Sequence, residues 1–414
     1  MTYPFLCGLR VVESSAFIAA PLAGLALAQH GADVIRVDMI GGGIDYGRMP
    51  RMPHPQGRGR SLYWTALNKG KRSIAIDLRR PEGRELVQQL ATAPGPDAGV
   101  LLTNIGTPWL AHEVLAAKRA DVITCTIQGN PDGSTALDYT VHCATGYPAI
   151  TGGGSLQRPV NQVLPAWDIA CAYQAALAIA AALHQRGRTG QGAQLKLALS
   201  DVAFTTLSHL GVLAEAELLQ QDRPSLGNHL YGAFGRDFGT SDGARIMVAA
   251  ISINQWKALV ATCGIGGQIA ALERRLGLDF GDEAQRFEAR DAIALLVEPW
   301  FAARTQREAE AALEANKACW GRYDTATGLL AHDARVSDAN PVFERIATPG
   351  IGSHLSAGAA VRAAGLEREA TSPAPLLGTH TDQVLHEVLG LDSGAVGRLH
   401  DAGVVAGPQR DPSA

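Results

Sequence analysis

The chain has 414 residues, of which 46% are hydrophobic and 18% are charged, with a formal net charge of −4. This composition excludes a disordered chain, because enough apolar residues are present to form a core. The slightly acidic balance provides no basic field for nucleic acid, and the length suggests two domains.

Short β-branched runs alternate with helix-forming segments in the N-terminal part of the chain. The runs cover residues 9–13, 33–38, 73–78, 99–104 and 121–126, and an Ala/Leu-rich helix begins near Pro21. This alternation is typical of the α/β class, with a Rossmann-like parallel sheet and helices on both faces. Ligands of such sheets bind at the loops beyond the carboxyl ends of the strands.

The pattern of predicted strands and helices changes between residues 227 and 341. A strand-like ARIMVAAIS is followed there by charged helical segments such as DEAQRFEARDAIALLVEPWFAARTQREAEAALEA. We therefore expect a large domain in residues 1–226, a smaller α+β domain in 227–341, and a C-terminal segment, 342–414. The ending GPQRDPSA is polar and Pro-rich, which predicts a flexible tail.

The six cysteines show neither CxxC nor metal-ligand spacing, and the start MTYPFLCGLR has no signal-peptide layout. We therefore expect a cytoplasmic protein without a metal. The most apolar run, residues 169–183, is interrupted by Tyr173 and Gln174 and is too short to span a bilayer, so no membrane partner is expected.

One carboxylate stands at a predicted helix start. Residues 169–186 are rich in Ala and Leu without Gly or Pro, which predicts a helix of about five turns, and Asp168 precedes them. As an N-cap, Asp168 would accept backbone N–H bonds and be kept ionised by the helix dipole. It is either a cap alone or a nucleophile that forms a covalent anhydride with an acyl group.

Five segments, in order along the chain, resemble the family III CoA-transferases: LCGLRVVESSAFIAAPLAGLALAQHGADVIRVD, LNKGKRSIAIDLRRPEGREL, RTGQGAQLKLALSDVA, FGTSDGARIMVAAISINQW and PLLGTHTDQVLHEVLGL. The resemblance implies an enzyme that takes coenzyme A as an acyl-CoA substrate, with Asp168 as nucleophile. It implies backbone N–H groups near the helix start that stabilise the oxyanion. It also implies an interlocked homodimer whose large domain contains both ends of the chain.

The CoA phosphates need cations, and Lys69, Lys71 and Arg72 lie together before the 73–78 strand. Basic residues at loop ends are ordinarily solvated, but the match to the family's NxGKRS segment favours phosphate binding. Asn104 matches a family Asn that contacts CoA, and Ile105 replaces the aromatic residue that follows it in the family.

The segment around Leu137 separates two activities within the family. Racemases of the family carry His-Asp where this chain has Leu137-Asp138, and an acidic residue where it has Ser252. Racemisation needs a second acid or base on the opposite face of the substrate, so it is disfavoured here. Asp138 is either a structural cap or a catalytic acid near the acyl carboxylate or Asp168.

The loops FIAAPLAG, GGGIDYGRMP and SLYWTALNKGKRSIAIDLRRPEG resemble members that move CoA between the C1 and C4 carboxyls of mesaconyl-CoA. The C4 carboxylate would attack the anhydride within one acyl unit, or free mesaconate would re-bind reversed. Ile18 stands where formyl-CoA transferase has Gln, which indicates an apolar, branched acyl group. Arg48 is either a surface residue or the cation that holds the free carboxylate.

Two other functions stay open at this point. One is intermolecular transfer of CoA from an acyl-CoA to a free carboxylic or dicarboxylic acid. The other is a CoA-binding protein without catalysis. Both transferase hypotheses use Asp168, and they differ in whether a second acid must enter the pocket.

Overall fold

The structure is a computed structural model that describes residues 2–54, 57–153 and 155–413. The strands are β1 Arg10–Ser14, β2 Asp33–Met39, β3 Arg51–His54, β4 Gly57–Ser61, β5 Arg72–Ile76, β6 Val100–Thr103, β7 Ile123–Gln128, β8 Ala193–Ala198, β9 Phe234–Gly239, β10 Arg245–Ala250, β11 Cys319–Arg322, β12 Phe343–Thr348, β13 Gly352–Ala357 and β14 Val405–Ala406. The helices are α1 Ala19–Ala28, α2 Leu62–Asn68, α3 Pro81–Thr92, α4 His112–Ala116, α5 Asp138–Cys143, α6 Tyr147–Ile150, α7 Ala166–Thr189, α8 Leu199–His209, α9 Val212–Leu219, α10 Ile253–Cys263, α11 Gly266–Leu276, α12 Glu283–Glu288, α13 Arg290–Ala302, α14 Gln306–Ala315, α15 Ala326–His332, α16 Thr381–Leu389 and α17 Ser393–Asp401.

The chain folds into two compact units. The first comprises Met1–Ala144, Val163–Leu213 and Ala334–Ala414, and the second comprises Thr145–Gln162 and Ala214–Asp333. The first unit thus combines segments from both ends of the sequence. The domain boundaries inferred from sequence texture, at 226/227 and 341/342, stay a prediction.

A seven-stranded sheet forms the centre of the first unit, in the order β14-β5-β2-β1-β6-β7-β8. Its neighbours pair in parallel, except that the short C-terminal β14 runs antiparallel to β5. The predicted α/β class with a parallel sheet is therefore confirmed. Because the chain passes from β1 to β2 on one side and β6 lies on the other, the strand order reverses between β1 and β6.

A cluster of buried charges lies beside this reversal point. Arg36 of β2 donates to Glu13 of β1 at 3.1 Å, to Asp38 at 2.9 Å and to Asp45 at 3.4 Å. Lys71 donates to Oε1 of the same Glu13 carboxylate at 3.0 Å. Burial of so many charges is tolerated only when they are paired, so the cluster fixes the loops that follow β1 and β2.

Gly24, in the middle of α1, makes room for this cluster. A Cβ added there would lie 1.7 Å from Glu13 Oε2, and that carboxylate is fully buried and held by Arg36 and Lys71. We expect Gly24→Ala to lower the free energy of unfolding by about 3 kcal/mol, although Ala is the better helix former. Urea unfolding measures this.

Gly187 provides the control for that prediction. It lies in α7, and an added Cβ would meet nothing within 4 Å. Gly187→Ala should therefore raise the free energy of unfolding by up to about 1 kcal/mol. Equal effects of the two substitutions would contradict the proposed clash.

Helix α7 is longer than predicted, because it begins at Ala166 and ends at Thr189. Its length and composition alone satisfy the criteria for a membrane span, which corrects the expectation that the apolar run is too short. Its buried residues Cys171, Ala175, Ile179 and Ala182 follow helical spacing, as they do in a helix that packs one face on a core.

The second unit has its own antiparallel sheet, in the order β11-β10-β9. Helices α10 to α14 pack an aromatic core against it that includes Phe234, Trp256, Phe280 and Phe301. This arrangement agrees with the smaller α+β element that the sequence predicts.

Candidate active site

A cavity of about 370 Å³ opens at the carboxyl ends of the parallel strands, all within the first unit. Its lining residues are Phe17, Ile18, Ala19, Arg48, Tyr63, Asn104, Ile127, Gln128, Gly129, Ala136, Leu137, Asp138, Tyr139, Asp168 and Leu199. Six of the residues proposed from the sequence, Asp168, Asp138, Asn104, Ile18, Leu137 and Arg48, thus meet in one place. The location is the one expected for ligands of such a sheet.

Asn104 joins the two loops at the reversal of strand order. Its Nδ2 donates to the carbonyl of Ala16 at 2.7 Å, and its Oδ1 accepts from the amide of Ala16 at 2.9 Å. This pair of bonds ties the loop after β6 to the loop after β1. Both polar atoms of the amide therefore already have a protein partner, so an additional bond to CoA would use a second lone pair or proton.

Asp168 is not the N-cap of α7, contrary to the sequence prediction. The helix begins at Ala166, two residues before Asp168, so Pro165 occupies the N-cap position and Asp168 lies in the first turn. Asp138 Oδ2 accepts from the backbone N–H of Trp167 at 2.7 Å and of Asp168 at 2.9 Å. A buried carboxylate on α5 therefore satisfies the free N–H groups that a local cap would satisfy.

This capping corrects the expected oxyanion site as well. The amides of Trp167 and Asp168 at the helix start point to Asp138, so they are not available to a developing oxyanion. The other oxygen of Asp138, Oδ1, is buried without a hydrogen-bond partner among the described residues. Asp138 therefore combines a structural role with an unused acceptor at the cavity.

The electrostatic environment of Asp168 makes it a weak acid. Burial, and to a smaller extent the negative charge of Asp138, raise the pKa of its carboxyl group from 3.8 to about 7, although the charge of Arg48 opposes the rise. The sequence predicts that the helix dipole keeps this carboxyl group ionised. That expectation is not met, because a carboxyl group with this raised pKa is only partly ionised near neutral pH. A carboxylate with this pKa is more basic than an exposed one, and perturbed groups of this kind cluster at functional sites.

Arg48 is held at the cavity by two aromatic rings. Its guanidinium carbon lies 5.5 Å from the ring centre of Phe17 and 5.1 Å from that of Tyr63. Such cation–π contacts orient a cation without neutralising it. Phe17 itself has a φ of 64° and donates its amide to Asp45 at 2.9 Å, so the buried charge cluster supports this wall of the cavity.

Ile18 and Leu137 give the cavity an apolar wall. Ile18 precedes the first turn of α1, and Leu137 precedes α5. The segment that carries Leu137 passes close to Gly129, where an added Cβ would lie 2.3 Å from the amide of Ala136. Gly129 is thus required for the approach that brings Leu137 to the cavity.

The three cations proposed for CoA phosphates do not line this cavity as the described residues form it. Lys71 is buried and donates to Glu13 and Asn68, and Lys69 donates to Ser356 at 2.8 Å. Burial lowers the pKa of both lysines to about 8. Arg72 pairs with acidic groups on β2 and α16. Their binding of CoA stays a prediction, with least support for Lys71.

Sequence reasoning missed Phe17, Tyr63 and Tyr139, which also line the cavity. Tyr63 lies in the first turn of α2, and Phe17 lies in the loop after β1. The one signal for Phe17 was its position directly before Ile18 at a strand end. Tyr63 follows no strand of the main sheet, so its place at the cavity depends on tertiary packing.

A family model described as CoA-transferase family III matches residues 6–381. The chain belongs to CoA-transferase family III. A 2-methylfumaryl-CoA isomerase of Chloroflexus aurantiacus is 49% identical to this family III CoA-transferase over 406 residues, which are 98% of each chain. A formyl-CoA:oxalate CoA-transferase of Rhodopseudomonas palustris is 26% identical, over 98% of both chains.

A solved structure has the same fold. A CAIB/BAIF family protein from Brucella suis superposes on this family III chain with a TM-score of 0.76 and 26% sequence identity, over 94% of this chain and 100% of that one. The cavity thus combines a buried carboxylate, a cation and an apolar wall in a fold of this family. These groups can perform acyl transfer through a carboxylate nucleophile.

Proposed function

We propose that this chain moves CoA between the C1 and C4 carboxyl groups of mesaconyl-CoA, the thioester of 2-methylfumarate. The observation that carries the proposal is the cavity in which Asp168, with a pKa raised to about 7, faces Arg48. A dicarboxylic thioester has a carbonyl to be attacked and a free carboxylate to be held. The 49% identity to a 2-methylfumaryl-CoA isomerase supports the same activity.

The first half of the proposed reaction forms a covalent acyl-enzyme. The Asp168 carboxylate attacks the C1 thioester carbon, so that an O–C bond forms, the C–S bond breaks and CoA leaves as a thiolate. The thiolate then attacks the carboxyl carbon of Asp168, which gives an aspartyl-CoA thioester and free mesaconate. Splitting the transfer into such steps is the advantage of covalent catalysis.

The second half requires the released mesaconate to reverse its orientation in the cavity. The trans double bond of mesaconate keeps its carboxylates apart, so a direct attack of C4 on its own anhydride would close a highly strained ring. Mesaconate therefore turns, and its C4 carboxylate attacks the aspartyl-CoA thioester and expels the thiolate. The thiolate takes the C4 acyl group from the new anhydride and restores the Asp168 carboxylate. No atom is gained or lost over the cycle.

The cavity wall fits this substrate class. Arg48 would hold whichever carboxylate is free, because a guanidinium binds carboxylates in a bidentate manner. Ile18 and Leu137 would contact the apolar, methyl-bearing carbon skeleton. Asn104 lies beside the cavity where the thioester enters in this proposal, and Lys69 and Arg72 remain candidates for the CoA phosphates.

Assembly and compartment belong to the same proposal. All six cysteines are free thiols, which supports a reducing cytoplasm. Helix α7 exposes Tyr173 and Leu177, which are 57% and 69% accessible, and α8 is followed by the exposed Leu210. Apolar residues of this kind on one unit support burial by a second copy in the homodimer that the family resemblance implies.

The test uses mesaconyl-C1-CoA together with carbon-labelled free mesaconate. We expect the C4 thioester to form without label, because the released acid is retained and reverses in the cavity. Labelled C4 thioester would instead favour the second candidate, intermolecular transfer to a free acid, for which the formyl-CoA:oxalate relative provides the precedent. Absence of any C4 thioester would contradict the proposed function. Mass spectrometry of the separated regioisomers gives the result.

A further inference from the structure

Tyr63 lines the cavity and carries a hydroxyl group that the steps above do not use. Its ring lies under the Arg48 guanidinium, 5.1 Å from ring centre to guanidinium carbon. Its hydroxyl oxygen is buried and has no hydrogen-bond partner among the described residues. Buried hydroxyl groups are nearly always paired, so an unpaired one in a cavity indicates a missing ligand group.

The hydroxyl group is a donor and not a charge at neutral pH. Burial raises the pKa of Tyr63 to about 12, with Arg48 lowering it and the negative charges of Asp168 and Asp45 adding to the rise. The neutral phenol hydroxyl and the neighbouring guanidinium can both donate hydrogen bonds to one acceptor that lies between them. Carboxylate oxygens are the acceptors that such a pair of donors fits.

We propose that the Tyr63 hydroxyl and the Arg48 guanidinium together bind the free carboxylate of the acyl group, so that the enzyme selects acyl-CoAs that carry a second carboxylate. The inference deepens the proposed function and rests on it for the identity of the acid. Tyr63 acts here as a specificity-determining residue. It takes no part in bond formation at the thioester.

The test compares two thioesters that differ only at the free end. Mesaconyl-C1-CoA has a carboxylate there, and tigloyl-CoA has a methyl group in its place. Exchange of labelled CoA into each thioester reports the first half-reaction alone, so it does not depend on isomerisation. Tyr63→Phe keeps the ring beneath Arg48 and removes only the hydroxyl group.

We expect Tyr63→Phe to lower kcat/KM for exchange with mesaconyl-C1-CoA by about 10- to 100-fold, chiefly through KM, because a hydrogen bond to a charged group is lost from both ground state and transition state. Exchange with tigloyl-CoA should change by less than about threefold. Tyr323→Phe is the matched control, since Tyr323 is 54% exposed in the second unit and does not line the cavity. It should leave both rates unchanged.

An equal loss with both thioesters would overturn the inference, because the hydroxyl would then serve the reacting carbonyl or the fold. No change with either would overturn it too. Failure of the proposed function alone has a different signature: wild-type enzyme exchanges CoA but forms no C4 thioester. In that case the comparison is repeated with succinyl-CoA, which carries a free carboxylate, and butyryl-CoA, which carries a methyl group in its place. A wild-type enzyme that does not prefer succinyl-CoA refutes the carboxylate subsite.

Discussion

Asp168→Asn is expected to abolish CoA transfer, with kcat for the C4 thioester lowered by at least about 10⁴-fold. The amide has nearly the same shape, but it cannot attack a thioester to form an anhydride. Binding of CoA should change little, because the thioester end contributes a small part of the contact. Steady-state kinetics and calorimetric titration with CoA measure the two quantities separately.

Asp201→Asn is the matched control, because Asp201 lies in the first turn of another helix, α8, and is exposed. It should keep wild-type activity. An Asp168→Asn variant that retained more than about a hundredth of the wild-type kcat would exclude Asp168 as the nucleophile.

Loss of activity in this variant should come with a gain in stability. The carboxyl group of Asp168 has a pKa of about 7 in the folded protein against an ordinary 3.8. The folded state therefore holds a proton that the unfolded state releases between these values, and wild-type stability falls as pH rises through that window. Asp168→Asn should be more stable by roughly 2–4 kcal/mol above pH 7, and by little near pH 4. Urea unfolding at both pH values tests the sign.

Asp138→Asn is expected to shift the pH dependence of the reaction. The negative charge of Asp138 contributes to the raised pKa of Asp168, and only ionised Asp168 attacks the thioester. The acidic limb of kcat/KM should lie near pH 7 in the wild type and move to lower pH in the variant. The variant should also lose about 1–2 kcal/mol of stability, since a neutral amide accepts the N–H groups of Trp167 and Asp168 more weakly.

Asp132→Asn separates this effect from a general change in charge. Asp132 is exposed in the loop that leads to Asp138, so its substitution should leave the acidic limb in place. An acidic limb that stays at the wild-type pH in Asp138→Asn would show that a group other than Asp168 controls the profile.

The fold class was readable because five of the six parallel strands are short, largely buried runs between helical segments, whereas β8 exposes alternate residues. The strand at Ile74 and the one at Leu101, for example, are fully buried, so their apolar residues are nearly continuous. The strand β14 was not predictable, because Val405 and Ala406 are too few residues to show a period. The start of α7 was misplaced because its capping carboxylate, Asp138, is distant in sequence.

Some of the residues that line the cavity could also be predicted from the sequence. Asp168 and Asn104 match positions in the family resemblance, and Asn104 directly follows β6 of the main sheet. The pairing of Lys71 with Glu13 could not be predicted from the sequence, because the two residues are 58 positions apart and no local pattern indicates that the lysine is buried. Tyr63 was missed for the same reason, because only tertiary packing brings it to Arg48.

The most direct measurement follows a heavy-oxygen label from the substrate to the enzyme. Mesaconyl-C1-CoA with heavy oxygen in its free C4 carboxylate is turned over, and peptides of the protein are analysed by mass spectrometry. In the proposed cycle the C4 carboxylate attacks the aspartyl-CoA thioester, and its oxygen stays with Asp168 when the anhydride opens. The account predicts label on Asp168 and none on Asp138. Formation of the C4 thioester with an unlabelled Asp168 would contradict it.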